Sequence, residues 1–255
     1  PIFDRFSSCV DAAYGGIRGP MEILVFVFLY GWCGLSLWQN RRRLGGLIER
    51  NMLAAGGFFL AIVILAPDKF MNTIFFSSRW FPIALIFVLL SLPVPSFRRL
   101  SAKTIALTIA AIFFLITAIA WHKYETGDLS GFRESLEHIP PSSKVVGLDL
   151  VKISEIIKGR PFLQLSAYAQ VFEGCELNFS FAEHYSGLVA YKTPRKVPWT
   201  PGLEWFAAKV RRTDFAYFDC VLANGLEADH AALSSFRELL PVTRSGRWRL
   251  YKVQR

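Results

Sequence analysis

Charged side chains are scarce in this sequence: Asp, Glu, Lys and Arg make up 19% of its 255 residues. An ordinary soluble domain contains about 25%. Apolar residues reach 53%, and the mean hydropathy is +0.33. This composition excludes a disordered chain, a collagen-like repeat and a coiled coil, and it argues against a purely soluble protein.

The sequence also lacks the short motifs that mark common chemistry. It contains no Walker A loop, no GxGxxG, HExxH or GxSxG, and no Cys/His spacing typical of a zinc site. No cofactor and no metal are therefore predicted. The net charge of +9 is attributed to basic loops beside apolar segments, which contact lipid headgroups, and not to nucleic acid.

The charges are distributed unevenly along the chain. Residues 1–122 contain 11 Lys and Arg and 5 Asp and Glu, whereas residues 123–255 contain 18 and 15. We interpret 1–20 as an interfacial segment on the outer face, 21–122 as a transmembrane region and 123–255 as a globular domain. Because the sequence starts at Pro1 and no signal peptide pattern follows, we expect it to be the C-terminal piece of a longer protein.

Four apolar segments predict four transmembrane helices: 21–39, 52–66, 80–94 and 104–121. The second and third are shorter than the roughly 17 residues that a membrane span needs. They reach that length only if they begin near Leu47 and Thr73. The alternative is a bundle of buried helices in a soluble protein.

Two basic loops predict the orientation. Loop 40–51 contains four Arg against one acid, and loop 95–103 contains Arg98, Arg99 and Lys103 with no acid. The positive-inside rule places both loops in the cytoplasm. The chain is then a multi-pass protein of the bacterial inner (plasma) membrane with an extracytoplasmic C-terminal domain. Its expected partners are the lipid bilayer and other envelope proteins.

Residues 123–255 alternate between strand and helix patterns, which is typical of a small α/β domain. The predicted strands are 144–150, 215–222 and 248–253. The predicted helices are 130–138, 163–172, 202–211 and 228–240. The predicted fold class is therefore a four-helix membrane region followed by a small extracytoplasmic α/β domain.

A few residues of this domain are candidates for chemistry. Asp149 ends a predicted strand and Asp219 lies within another, although an Asp at a strand end more often caps a turn. His184 is a candidate acid or base, and Asn178 begins an Asn-x-Ser glycosylation sequon, a pattern common by chance. Catalytic residues are left unassigned.

Two Cys of the same domain leave a further alternative open. Cys175 and Cys220 would both face the outside, where an oxidising compartment would allow a disulfide between them. Their spacing alone does not decide whether they pair.

The most distinctive charges are Asp68, Lys69 and Arg79, between the second and third apolar segments on the expected outer face. An Arg guanidinium matches phosphate oxygens well, so we interpret the three as a candidate substrate-binding site. The alternative is that Lys69 and Arg79 only anchor helix ends among the headgroups.

Three stretches, 65–93, 132–150 and 236–253, resemble bacterial integral membrane glycosyltransferases of the GT-C type. The shared features are a helix ending in Pro, a short outer loop, an Arg opening the next helix, and an Ile-Pro turn before the first strand of an outer domain. The resemblance covers most of the chain and is strongest for uncharacterised relatives.

The resemblance implies transfer of a sugar from a polyprenyl-phosphate donor on the extracytoplasmic face, with Arg79 corresponding to the Arg of the pattern. The catalytic acid of such enzymes lies in a first outer loop that has no counterpart here, so whether the chain is an enzyme stays open. The alternative function is a non-catalytic, membrane-anchored binding or assembly module of the cell envelope.

Overall fold

The computed structural model divides the chain into two compact units, Pro1–Ala120 and Trp121–Arg255. It describes residues 9, 16–19, 21–42, 44–67, 69–70, 73–74, 76–97, 101–180, 192–193, 197–244 and 246–255. The expected interfacial segment 1–20 lies almost entirely outside this set.

The described part of the first unit is mainly helical. Its helices are α1 (Met21–Asn40), α2 (Leu44–Leu47), α3 (Arg50–Leu65), α4 (Phe81–Ser91) and α5 (Ala102–Lys123). A 3-10 turn, Ser78–Trp80, precedes α4, and a π-helical turn, Tyr124–Asp128, follows α5 directly. Two short strands, β1 (Lys69–Phe70) and β2 (Thr73–Ile74), pair antiparallel between α3 and α4.

The prediction of four transmembrane helices is wrong. Among the described residues, two helical stretches are long and apolar enough to cross a membrane, Ile23–Asn40 and Ala102–Asp128. The two apolar helices between them, Arg50–Leu65 and Ser78–Ser91, are shorter. At 1.5 Å per residue, the 16 residues of α3 extend about 24 Å, less than a hydrocarbon core of about 30 Å.

The helices are short because the extensions they would need do not form. Glu49 is extended, so it separates α3 from the four-residue helix that ends at Leu47. Thr73 belongs to β2 instead of an early turn of α4. Ala66 and Leu92, which end α3 and α4, are extended because each precedes a Pro.

Helices α3 and α4 pack closely through a glycine. A Cβ placed on Gly56 would lie 2.8 Å from Val88 Cγ2, whereas a Cβ on Gly57 would meet nothing within 4 Å. Phe59 of α3 stacks on the rings of Trp80 and Phe87. Of the Gly pair, only Gly56 is thus required for the close approach of the two helices.

Hydrogen bonds join the ends of three helices of the first unit. Near the end of α1, the Ser36 hydroxyl donates to the Pro93 carbonyl. The Gln39 side chain donates to the Ser96 carbonyl at 2.8 Å and accepts from the Ser96 N–H at 2.7 Å. The Glu49 N–H, at the start of α3, donates to the Ser91 carbonyl at 3.0 Å. The two segments that follow α1 and α4 therefore begin side by side.

The second unit is built on a mixed sheet of five strands in the order β4-β3-β5-β7-β6. The strands are β3 (Lys144–Asp149), β4 (Glu176–Leu177), β5 (Cys220–Asn224), β6 (Leu239–Pro241) and β7 (Trp248–Val253). Strand β3 runs parallel to both neighbours, and β7 runs antiparallel to β5 and β6. The predicted strand 248–253 is confirmed, and the predicted strand 144–150 is one residue too long.

Helices cover both faces of the sheet. On one face, α6 (Phe132–Glu137) and α7 (Ala167–Glu173) pack over Val145, Leu222 and Trp248. On the other, α8 (Glu227–Ser234) packs over Val146, Val221 and Tyr251. The predicted helix 202–211 is wrong, because within it only Ala207–Lys209 forms a 3-10 turn. The predicted strand 215–222 begins only at Cys220.

The two cysteines of this unit are free and buried. Cys175 immediately precedes β4 and Cys220 begins β5, so β3 lies between them. Two strand spacings amount to roughly 10 Å, whereas the Cα atoms of a disulfide-bonded pair lie within about 7 Å of each other. The sheet therefore keeps the two thiols apart.

Candidate functional site

Polar side chains collect at the carboxyl ends of the three parallel strands. Asp149 ends β3, Asn224 ends β5 and stands beside Asp149 in the register, and Asn178 follows the last residue of β4. Ligands of open α/β sheets bind outside the carboxyl ends of parallel strands. This edge is therefore the expected position of a ligand-binding site.

A small cavity lies at this edge. Its polar lining comes from Asp149, Gln164, Ser166, Asn178 and Glu204, and Phe162 and Trp248 contribute apolar walls. The volume is about 20 Å³, which is room for one water molecule or one functional group of a larger ligand. We call it the carboxyl-edge cavity.

A glycine in the middle of β3 allows the cavity wall to form. A Cβ on Gly147 would lie 2.2 Å from Ser166 Oγ and 2.4 Å from Ser166 Cβ. Only glycine therefore lets the start of α7 approach the backbone of β3 so closely. The Gly147 N–H donates to Asn178 Oδ1 at 2.9 Å.

That hydrogen bond fixes the orientation of the Asn178 amide, because a backbone N–H needs the oxygen as its acceptor. The residue is 3% exposed, and its Nδ2 has no partner among the described residues. A buried donor left unpaired costs about 1–3 kcal/mol. An amide so buried is also inaccessible to glycosylation.

Asp149 is half-buried in the lining of the same cavity, and its Oδ1 accepts from Asn224 Nδ2 at 2.8 Å. Burial raises the pKa of Asp149 to about 6, against the opposing effects of the Asn224 hydrogen bond and of Lys152, Arg247 and Arg160. A carboxyl group with such a pKa can change its protonation state near neutral pH.

The loop before α7 carries backbone strain at the cavity. Gln164 has a φ of +64°, a left-handed conformation unusual for a residue other than glycine. Its carbonyl accepts from the Ala167 N–H at 2.9 Å. Such conformations persist where surrounding contacts impose them, and they cluster at ligand sites.

A buried ion pair supports the apolar wall. Arg247 pairs with Asp128, which also accepts from the Ser154 hydroxyl. The Arg247 guanidinium carbon lies 4.8 Å from the centre of the Phe162 ring, and Trp248 Nε1 donates to the Asp128 carbonyl at 3.2 Å. These contacts fix both aromatic side chains of the cavity.

The residues predicted as a substrate site lie elsewhere in the chain. Arg79 is exposed in the 3-10 turn before α4, and Lys69 belongs to β1, opposite Ile74 in the register. Asp68 lies outside the described residues, as does His184. The grouping of Asp68, Lys69 and Arg79 stays a prediction.

The second candidate Asp has a structural role. Asp219 accepts from the Lys144 N–H at 2.9 Å and from Arg255 at 2.8 Å, before β5 begins. Of the two Asp residues, only Asp149 lines the cavity. Gln164 and Ser166, predicted inside the helix 163–172, lie just before the helix that begins at Ala167. Asn178 was predicted only as a glycosylation sequon, and it follows a two-residue strand.

The second unit is thus a mixed α/β domain with a polar cavity at the carboxyl edge of its parallel strands. No group of three or more His, Cys, Asp and Glu side chains suited to a metal ion occurs in the described part of the chain. No family model, curated protein or solved structure matches the chain.

Proposed function

We propose that this chain is a membrane-anchored module that presents its α/β unit, with the carboxyl-edge cavity as ligand site, at the extracytoplasmic face of a bacterial membrane. One observation carries the proposal. The two long apolar helices expose large side chains along their length, among them Ile23, Trp38, Phe114 and Leu115. A soluble surface does not tolerate so extended an apolar area.

The hydrogen bonds between helix ends support the proposed orientation. Gln39 and Ser96 pair directly, so the basic loops 40–51 and 95–103 begin side by side. Loops on one face of the membrane agree with the positive-inside rule. Residues beyond α5 would then face the opposite, extracytoplasmic side.

Membrane attachment is tested by washing membranes that contain the full chain with alkaline carbonate. We expect the protein to stay in the pellet, and recovery in the supernatant would overturn the proposal. A matched pair sharpens the test, because Leu115 of α5 and Leu226 of the α/β unit are 61% and 60% exposed. Leu115→Arg should reduce retention, since Arg costs about 3 kcal/mol at a helix centre in the bilayer. Leu226→Arg should not.

Orientation is tested by adding protease to intact spheroplasts. We expect cleavage within residues 123–255 without lysis. Protection until lysis, with the chain still in the carbonate pellet, would reverse the proposed orientation and leave the anchoring role in place.

A glycosyltransferase acting on a polyprenyl-phosphate-linked sugar is the second candidate. The observation that favours it is the exposed Arg79 in the 3-10 turn that precedes α4, next to Trp80 in the sequence. We expect Arg79→Ala to weaken binding of a polyprenyl-phosphate donor. Unchanged binding at a normal protein level would remove this candidate.

A further inference from the structure

The carboxyl-edge cavity combines a donor and an acceptor that lack partners. Asn178 Nδ2 is buried and unpaired, with its orientation fixed by the Gly147 N–H. Asp149 uses Oδ1 to accept from Asn224, and no described residue donates to its Oδ2. Both side chains line the same cavity of about 20 Å³.

These two groups restrict the chemistry of an occupant. Asn178 Nδ2 requires an acceptor, whereas an ionised Asp149 requires a donor. An ammonium group only donates, and a carboxylate or a phosphodiester only accepts. A hydroxyl group donates one hydrogen and offers two lone pairs, so it satisfies both sides.

The volume and the walls point to one part of a larger ligand. A space for a single water molecule admits a hydroxyl group but not a ring. Phe179, a half-buried residue of the lining, offers apolar surface on which the carbon skeleton of a polyol can lie.

We propose that the carboxyl-edge cavity binds a small polyhydroxylated ligand, one of whose hydroxyl groups enters between Asp149 and Asn178. The hydroxyl donates to Asp149 Oδ2 and accepts from Asn178 Nδ2. The proposal rests on the proposed function in taking this cavity as the ligand site of the anchored unit, but its test does not require a membrane.

The test measures binding of three probes to the full chain in detergent micelles, by saturation-transfer NMR. Ethylene glycol donates and accepts, 1,2-dimethoxyethane has the same O–C–C–O chain with both oxygens methylated and only accepts, and ethylammonium only donates. We expect saturable binding of ethylene glycol and at least tenfold weaker binding of the other two. Equal binding of 1,2-dimethoxyethane, or no saturable binding of ethylene glycol, overturns the proposal.

Two variants locate the bound probe. Asn178→Asp keeps the oxygen that accepts from Gly147 and removes the unpaired N–H groups. Asp149→Asn keeps an oxygen for Asn224 and replaces the other acceptor by a donor. Each should weaken binding of ethylene glycol about tenfold, while Glu137→Gln on α6 leaves binding unchanged. Unchanged binding in both cavity variants would contradict the proposal.

If Asn178→Asp fails to fold, the comparison of the three probes on the unaltered chain still decides. Release of the chain by carbonate would refute membrane anchoring whatever the probes do. Failure of the probes with a carbonate-resistant chain would refute the hydroxyl site alone.

Discussion

The two units of this protein differ in where their large apolar side chains lie, which is on the outside of the helices in the first unit and in the core in the second. The described helices of the first unit expose Ile23, Phe58 and Phe114 and bury the small residues Ser36, Ala84 and Ser91. The second unit buries Phe162, Trp248 and Tyr251 between its sheet and helices. In water the hydrophobic effect enforces the second arrangement, whereas in lipid close packing of small residues joins helices. The difference supports the proposal that the first unit lies in lipid and the second in water.

Replacing one leucine by alanine in each unit should change the free energy of unfolding by very different amounts. Leu222 is fully buried at the centre of the sheet, and Leu115 is exposed on α5. Leu222→Ala should lower the free energy of unfolding by about 3 kcal/mol through lost burial and a residual cavity. Leu115→Ala should lower it by less than about 0.5 kcal/mol. Hydrogen exchange of peptides from β5 and α5, measured in detergent, gives both values, and similar losses would break the comparison.

A glycine pair tests the packing between the helices of the first unit. In Gly56→Val the new side chain would collide with Val88, including its backbone nitrogen at 3.1 Å from Cβ. We expect a loss of about 2 kcal/mol in the stability of the α3–α4 pair. Gly57→Val is the control, because nothing lies within 4 Å. Thermal unfolding in detergent compares them, and equal melting temperatures would show that the close approach contributes nothing.

The charge at the carboxyl-edge cavity should have a smaller effect, and one that depends on pH. Burial raises the folded-state pKa of Asp149 to about 6, above the ordinary value of 3.8 for an Asp side chain. Folding therefore favours the protonated form, and stability falls as the pH rises from about 4 through 6. Asp149→Asn should flatten this slope and raise stability at pH 7.5 by on the order of 1 kcal/mol. Urea unfolding at a series of pH values measures it, and an unchanged slope would contradict the raised pKa.

His230 makes stability change with pH in the opposite direction. Its effect serves as an internal control for Asp149. It is buried, and its ring nitrogens contact the Tyr251 hydroxyl at 2.9 Å and the Arg247 carbonyl at 3.0 Å. Burial lowers its pKa below 6.5, so stability is lost as the pH falls through the folded-state value. This decline at low pH should persist in Asp149→Asn.

The sequence predicts the strands better than the segments between them. Strand β7 was predictable residue by residue, because apolar and aromatic residues interrupted by Arg249 and Lys252 form a local pattern typical of a half-buried strand. Strand β5 begins at Cys220 because Asp214 accepts from the N–H groups of Thr200 and Arg211 and holds 212–216 in a 3-10 turn. Such long-range capping leaves no periodic signal.

The candidate site was predictable only through Asp149. Its position at the end of a buried strand marks the carboxyl edge. Asn178 follows a strand of two residues, and Ser166 matters because Gly147 lets it approach. These contacts arise from tertiary packing and not from spacing along the chain. The prediction of four membrane helices is wrong for a related reason. Hydropathy does not depend on backbone conformation, so it could not show that Glu49 is extended and that α3 begins only after it.

The proposal that lipid surrounds the first unit and water the second is tested most directly by comparing two phenylalanines of similar exposure. Phe114 of α5 is 69% exposed and Phe172 of α7 is 63% exposed. In a chain whose native cysteines are replaced, Phe114→Cys and Phe172→Cys each receive a spin label in a lipid nanodisc. The account predicts that oxygen, enriched in lipid, relaxes the label at 114, whereas a water-soluble nickel complex relaxes the label at 172. Equal relaxation of both labels by the nickel complex would show both units in water and contradict the account.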